Sequence, residues 1–470
     1  MSDLSHLRKN SIGIFGLIFQ SLTAIAPLMD MIALITTAAI FALASMPLAF
    51  LLAFILTFLT INTIFQFSKK IASSGGYYSF VGHGLGPRAG LFTGWIYLLY
   101  TTLVTPNAAL FFGAIFVPAA FQLITGMMLP AYSWIVLSLV LIMFVAGMSY
   151  WGIKPSLKYS IITGLAEISI MIFFSVFVIA KSGTSNTLLV FTPKFAPGGM
   201  SGVALGMIFS ITSFAGAGSP VILGEEAKGP RKTIGKAVII SVLLAGVTIL
   251  LSAYALAIGW GTSDMSGFGN ELIPGVIEAR TYLGLAGAAV IVIFGINSFL
   301  NLGLSYFNAG IRGMYAMARD GVILPKRLSS INLKHGTPHV AIAVDATVAV
   351  LLSVPMAFWM GPFNAFVIEL TGVTVGYLIV HILANISLSV FFSKIGEFNI
   401  VKHLIIPFAS TLIFLVTLYY SIVPIKFPVS YGVLAVFVWA AIGGGFVYSL
   451  GEEKVKGKAQ FNLPHERDVT

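Results

Sequence analysis

Two stretches decide how this chain is built: Ser21-Leu22-Thr23-Ala24-Ile25-Ala26-Pro27 and Ser213-Phe214-Ala215-Gly216-Ala217-Gly218-Ser219-Pro220. Each lies in the middle of a long apolar run. Proline removes an amide donor and clashes with the carbonyl four residues back. In hydrocarbon, freed backbone groups are costly unless they line a cavity or meet a ligand. Either stretch alone is equally a proline kink tolerated by neighbouring helices. The pair says more, because Pro27 and Pro220 stand 193 positions apart, in the first and sixth apolar runs. Corresponding interruptions in two halves of five runs point to a pair of inverted repeats with a binding site between them.

The rest of the sequence fits that frame. Of 470 residues, 58% are hydrophobic and 9% are charged, against roughly 25% charged in a soluble domain. Such a chain cannot cover a water-facing surface, so lipid is its expected solvent. The apolar runs are about 20 residues long, enough to cross the hydrocarbon as helices. They are too continuous for the alternation of a membrane β-barrel. The spacing predicts twelve spans, at 12–41, 45–67, 88–121, 131–150, 156–180, 201–226, 233–260, 282–314, 339–358, 364–392, 403–422 and 429–450. The first run is too long for a signal-peptide core and is read as a retained span. The outer connections 181–200 and 261–281 are rich in Gly, Ser, Thr and Pro, and the second is long enough for a short helix.

The net charge of +10 is explained by its distribution. Of 26 basic residues, all but Lys181, Lys194, Arg280 and Lys426 sort to the tails and to one set of alternate loops. That bias places both termini in the cytoplasm of a multi-pass plasma-membrane (inner-membrane) protein, and it supports an even span count. It leaves no basic patch that calls for nucleic acid. There is no cysteine, so disulfides and thiolate metal sites are excluded. No phosphate loop, clustered metal ligands or nucleophile–base pair appears, so neither ATP hydrolysis nor enzyme chemistry is expected, and no cofactor.

Several motifs carry a resemblance. Ser74-Gly75-Gly76-Tyr77-Tyr78 is followed by Gly94-Trp95. The sixth run ends in Gly224-Glu225-Glu226-Ala227-Lys228-Gly229-Pro230-Arg231. Arg312 and Tyr315-Ala316-Met317-Ala318-Arg319-Asp320-Gly321 precede Leu324-Pro325 and Gly336-Thr337-Pro338. Over roughly residues 10–450 the chain resembles the amino acid–polyamine–organocation superfamily of transporters. The resemblance implies an all-α fold of twelve transmembrane helices, a five-plus-five inverted repeat like that of the leucine transporter with two additional helices. Its parts would be a cytoplasmic amino tail (1–11), repeats at 12–181 and 201–392, added helices at 403–450 and a cytoplasmic carboxyl tail (451–470). It implies alternating access and an amino acid or amine substrate, moved with protons or in exchange. Two departures stand out. The family's first break is Gly-rich, whereas Ser21, Ala24, Ile25 and Ala26 stand here. Many relatives carry a lysine in span five, and counting from Gly152 puts Glu167 in its place.

The candidate substrate residues are Ser21, Thr23, Ala24, Ile25 and Ala26 at the first break and Ser213, Phe214, Ala215, Gly216 and Gly218 at the second. Asn107, beside Pro106, could present an amide. Phe214 stands where relatives place an aromatic lid. Glu167 is expected near Ser298 and Asn301 of span eight as a coupling group. It could carry a proton, bind a cation such as sodium, or be a structural carboxyl. Asp30, Glu369, Thr374 and Tyr377 are secondary candidates. Asp345 reads as one member of a structural pair, and His381 as a packing histidine. Glu225 and Glu226 read as loop-organising ion pairs with Lys228, Arg231 and Lys232, or as an inner gate. The leading expectation is an amino acid transporter. A polyamine or other organic-cation carrier is the alternative, and a non-transporting solute sensor is a third, which the short tails disfavour.

Overall fold

The computed structural model describes residue 7 and residues 9–450. The expected carboxyl tail at 451–470 and most of the amino tail lie outside the described residues. The described chain is nearly all helical, with only two isolated β-bridges and no strand. Among the described residues, twelve helices are long and apolar enough to cross a membrane. Within such a helix every backbone group finds its partner in the same segment, which is why a chain so apolar folds this way in lipid.

Span one is helical over Ile14–Ile25, breaks at Ala26 and resumes at Pro27. It passes through a π turn at Asp30–Leu34 into Ile35–Ala42. A tight turn at Leu43–Ser45 leads to span two, Met46–Ser68. Span three is Pro87–Thr125, with a second π turn at Phe111–Phe116. Span four is Ser133–Trp151 and span five Ile153–Lys181. Span six is helical over Met200–Thr212 and continues as a 3₁₀ helix, Ala215–Leu223. Span seven is Pro230–Trp260. Span eight belongs to the 47-residue helix Pro274–Asp320, kinked at Gly284 where φ is +70°. Spans nine to twelve are His339–Met360, Pro362–Lys394, Val401–Ile422 and Val429–Ser449.

The expected spans sit on these helices to within a few residues, except at span eight, whose helix runs well past both expected ends. The kink at Gly284 explains the early start. The short outer helix is present at Met265–Asn270. The motif Gly76-Tyr77-Tyr78 opens a further helix, Tyr77–Leu85, which hydropathy does not show. Burial ranks the spans: 83% of the span-one window is buried, but only 22% in spans eleven and twelve. Span one is therefore the axis of the bundle and the last two spans are its rim.

Span twelve docks through a pair of tryptophans. Trp95 of span three and Trp439 stack at 4.3 Å, and each indole N–H donates to the other's backbone carbonyl at 2.9 Å. Gly443 makes room for the Trp95 ring, which a Cβ would overlap.

Candidate functional site

The first break is narrower than the sequence suggests. The helix holds through Ile25, and a single residue, Ala26, turns left-handed at φ +54°. Pro27 then takes the first position of the resumed helix, where its missing amide hydrogen is not needed. The new helix exposes amides in mid-bundle, and side chains meet them. Leu28 N donates to Glu167 Oε1 at 3.0 Å and Met29 N to Ser298 Oγ at 3.2 Å. Ser298 Oγ in turn donates to the same Glu167 oxygen at 2.9 Å. Glu167 thus caps the half-helix amino terminus, the position where a carboxylate is best stabilised.

The second break is longer. Ser213 and Phe214 leave the α-helix, and the chain tightens into the nine-residue 3₁₀ segment containing Pro220. The two breaks touch directly. Ser21 Oγ donates to Ala217 O and Ser219 Oγ to Gln20 O, both at 2.9 Å. Gly216 lies so close to the Ala24 carbonyl that a Cβ would collide with it. Ser241 of span seven donates to Ser21 Oγ at 2.5 Å.

At this junction lies a small cavity with room for about one water, ≈ 10 Å³. Tyr77, Tyr97, Tyr100, Tyr306 and Ala309 line it on one side, and Ala215, Gly216, Gly218 and Ser219 on the other. The four tyrosines are absent from the sequence-based candidates. Tyrosines are common in this chain, and only the topology brings these four together. The nearest signal in the sequence was Tyr77 in the Gly76-Tyr77-Tyr78 motif.

The other expected residues are placed as follows. Ala215, Gly216 and Gly218 line the cavity, and Ser21 and Ala24 tie it to the first break. Ile25 is buried behind the junction. Thr23 faces away, bonded to Phe19 O and to Ser305 Oγ. Phe214 stacks on Phe54 at 6.1 Å and is not among the cavity's lining residues. Ser213 faces Asp30. Asp30 is fully buried in the π turn, near Glu167 and Tyr306, with neither oxygen in a well-formed hydrogen bond. Ser298 joins Glu167, but Asn301 bonds Ser160 and Thr163 instead. Asn107 donates to Phe366 O and lines a separate, mostly apolar cavity of ≈ 50 Å³. Glu369 is buried without a hydrogen-bond partner and, like Thr374, is not among the cavity's lining residues. Tyr377 packs behind the cavity, edge-on to Tyr100 at 6.1 Å and against His381 at 4.0 Å. Asp345 accepts from Thr102 at 2.7 Å. No group of metal-ligand type is clustered among the described residues.

One end of the bundle is closed by ion pairs whose partners the sequence did not give. Glu226 meets Arg312 at 2.6 Å, both buried, and Arg312 also holds Asn308. Glu225 takes Arg319 in a two-pronged contact at 2.9 and 3.0 Å and the Ser74 amide and hydroxyl at 3.1 and 2.8 Å. Burial alone would raise the Glu225 carboxyl. The hydrogen bonds and charge of Arg319, with Ser74, outweigh it and hold the group below its ordinary range. Tyr78 donates to Asp320 at 2.6 Å on the same face.

A family model described as amino acid permease matches residues 16–449. The chain is similar to the branched-chain amino acid permease BcaP of Bacillus subtilis, 24% identical over 73% of this chain and 74% of that protein. It is also 24% identical to the low-affinity putrescine importer PlaP of Escherichia coli, over 65% of this chain and 66% of the importer. A BcaP of Lactococcus lactis is 26% identical over 62% and 65% of the two chains.

Proposed function

The chain belongs to the amino acid permease family, whose members are membrane transporters and not enzymes, and on that premise we propose that it moves an amino acid across the plasma membrane by alternating access. One observation carries the proposal: two broken spans meet at a small cavity among buried residues of the bundle. Irregular backbone inside a membrane protein belongs where a solute is handled. The halves 12–181 and 201–392 would rock about that junction as inverted repeats, with the helices at 403–450 outside them. The sorting of basic residues supports cytoplasmic termini, and with them the Glu225–Arg319 face would lie inside.

Glu167 is the coupling residue of this proposal. It is buried, it caps the half-helix, and Asp30 lies near it. A proton taken by either carboxyl would change the field at the break, so the proposal favours proton symport or exchange.

An amine substrate is the second reading, and Glu167 itself favours it. A solute carboxylate would seek the amides of Leu28 and Met29, which the chain's own carboxylate and Ser298 already hold. The similarity to a putrescine importer points the same way.

Purified protein in proteoliposomes is expected to show saturable, pH-gradient-stimulated uptake of a labelled amino acid or of putrescine, and cross-competition identifies which. Absence of uptake of either, with or without a gradient and with or without internal counter-solute, would refute transport.

A further inference from the structure

Four phenol rings close on the central cavity, and their chemistry selects one kind of guest. Tyr77 lies against Tyr97 at 5.8 Å; Tyr97 meets Tyr100 edge-on at 5.2 Å, and Tyr100 meets Tyr306 edge-on at 6.5 Å. All four are buried. Among the described residues, no hydrogen bond reaches the hydroxyls of Tyr97, Tyr100 or Tyr306. The Tyr77 hydroxyl is 2.8 Å from His381 Nε2, and His381 Nδ1 is 2.9 Å from the Tyr377 carbonyl. A carbonyl can only accept, so Nδ1 carries the proton. In the neutral ring Nε2 is then the acceptor and Tyr77 the donor. The Tyr77 proton is thereby committed to His381, and its oxygen is left with lone pairs to offer. Gly218 has no Cβ to crowd that oxygen.

No lysine or arginine lines the cavity. Beyond its wall stands a buried carboxyl, Asp30, which faces Ser213 and lies within electrostatic reach of Tyr306. Ring faces, phenol oxygens and a buried carboxylate all attract a cation, and the phenol oxygens call for N–H donors. The cavity has the size of one water, which is also about the size of an ammonium group.

We propose that this cavity is an ammonium socket. The Tyr77 oxygen accepts an N–H bond, the rings of Tyr97, Tyr100 and Tyr306 surround the charge, and Asp30 balances it. The proposal rests on the transport function and serves an amino acid or an amine alike, because both carry the group.

The test compares n-butylammonium, n-butanol and butyrate as probes of the purified full chain, with affinity read well below the melting temperature. Phenylalanine keeps each ring and removes only its oxygen, so melting without probe reports folding and affinity reports the socket. Butylammonium is expected to bind and to raise the melting temperature, while butanol and butyrate do neither. Tyr77→Phe is expected to weaken butylammonium by about tenfold, the usual effect of one hydrogen bond to a charged group, and Asp30→Asn to weaken it as well by removing the balancing charge. Equal affinity in Tyr77→Phe and the parent protein would overturn the socket, as would butanol or butyrate binding as well as butylammonium. Proteoliposome uptake separates the two levels. Uptake of an amino acid or amine that survives Tyr77→Phe unchanged sinks the socket alone, whereas no uptake by the parent protein sinks transport.

Discussion

Ala26 carries the whole bend of span one at φ +54°. A left-handed backbone costs an alanine roughly 1–2 kcal/mol and a glycine almost nothing. The resemblance leads one to expect glycine at this break, and the geometry explains why. Ala26→Gly is therefore expected to hold or raise the melting temperature, and Ala26→Val, β-branched and buried, to lower it sharply. Uptake measured on both variants tests whether the bend is needed for function. Glu167 allows a finer test. Glutamine keeps an oxygen for the Leu28 amide but removes the charge, whereas alanine leaves that buried donor unmet at about 1–3 kcal/mol. Glu167→Gln is expected to melt near the parent and to lose pH-driven accumulation while keeping exchange. Glu167→Ala is expected to melt lower as well. If Glu167→Gln accumulates substrate normally, the residue is a cap and nothing more. The sequence made Glu167 visible because a lone carboxylate in an apolar span has few roles. It could not show that the carboxylate sits on the Leu28 amide, since span five and span one meet only in the fold.

Span six shows what an element adds to its residues. Its 3₁₀ stretch is longer and tighter than an α-helix would allow, which lets Gly216 press on the Ala24 carbonyl and Ser219 reach Gln20 O. Gly216→Ala forces the two breaks apart and is expected to abolish uptake while leaving assembly of the outer spans intact, as purification yield and helical content would show. Span twelve makes the opposite case, an element fixed by two residues. Helices in lipid gain little from hydrophobicity and associate through close packing and hydrogen bonds. Trp439→Phe removes one of two reciprocal bonds, a loss of about 0.5–1.5 kcal/mol. Gly443→Leu drives a side chain into the Trp95 ring and is expected to melt much lower. Both are expected to transport normally at a permissive temperature, because the rim lies outside the central junction. The spans themselves were legible from hydropathy. The helix Tyr77–Leu85 and the π turn Asp30–Leu34 were not, because the first is only nine residues long and the second is embedded in a longer helix, and they place Tyr77 and Asp30.

Over the whole molecule, two ion pairs of different strength tie the exit of span six to the end of span eight's helix. Breaking the buried Glu226–Arg312 pair strands a charge, at a cost of about 3–5 kcal/mol. Glu225–Arg319 is part-exposed, with side chains 21% and 35% accessible, so water screens it to no more than about 1 kcal/mol. The first pair is therefore structural, and under the proposed alternating access the second is soft enough to open. The chain has no cysteine, so a single Ala309→Cys reports access to the cavity against a silent background. Adding Glu225→Gln is expected to speed its labelling from the basic face a few-fold at neutral pH, while Glu226→Gln is expected to reduce folded yield. The pH dependence follows from the direction of the Glu225 shift. A carboxyl held below its ordinary range contributes its full stability above the unfolded value, about 4.3. It loses that stability only as pH falls through the lower folded value. Labelling of Ala309→Cys, normalised to the thiolate fraction, should accordingly be flat between pH 5 and 8 as far as this latch is concerned, and should rise only as pH falls below the unfolded value. An opening that tracks pH between 5 and 8, and persists in Glu225→Gln, would point to another carboxyl, either Asp320 on the same face, which burial pushes up, or the buried pair at the break, and Asp320→Asn and Glu167→Gln separate the two.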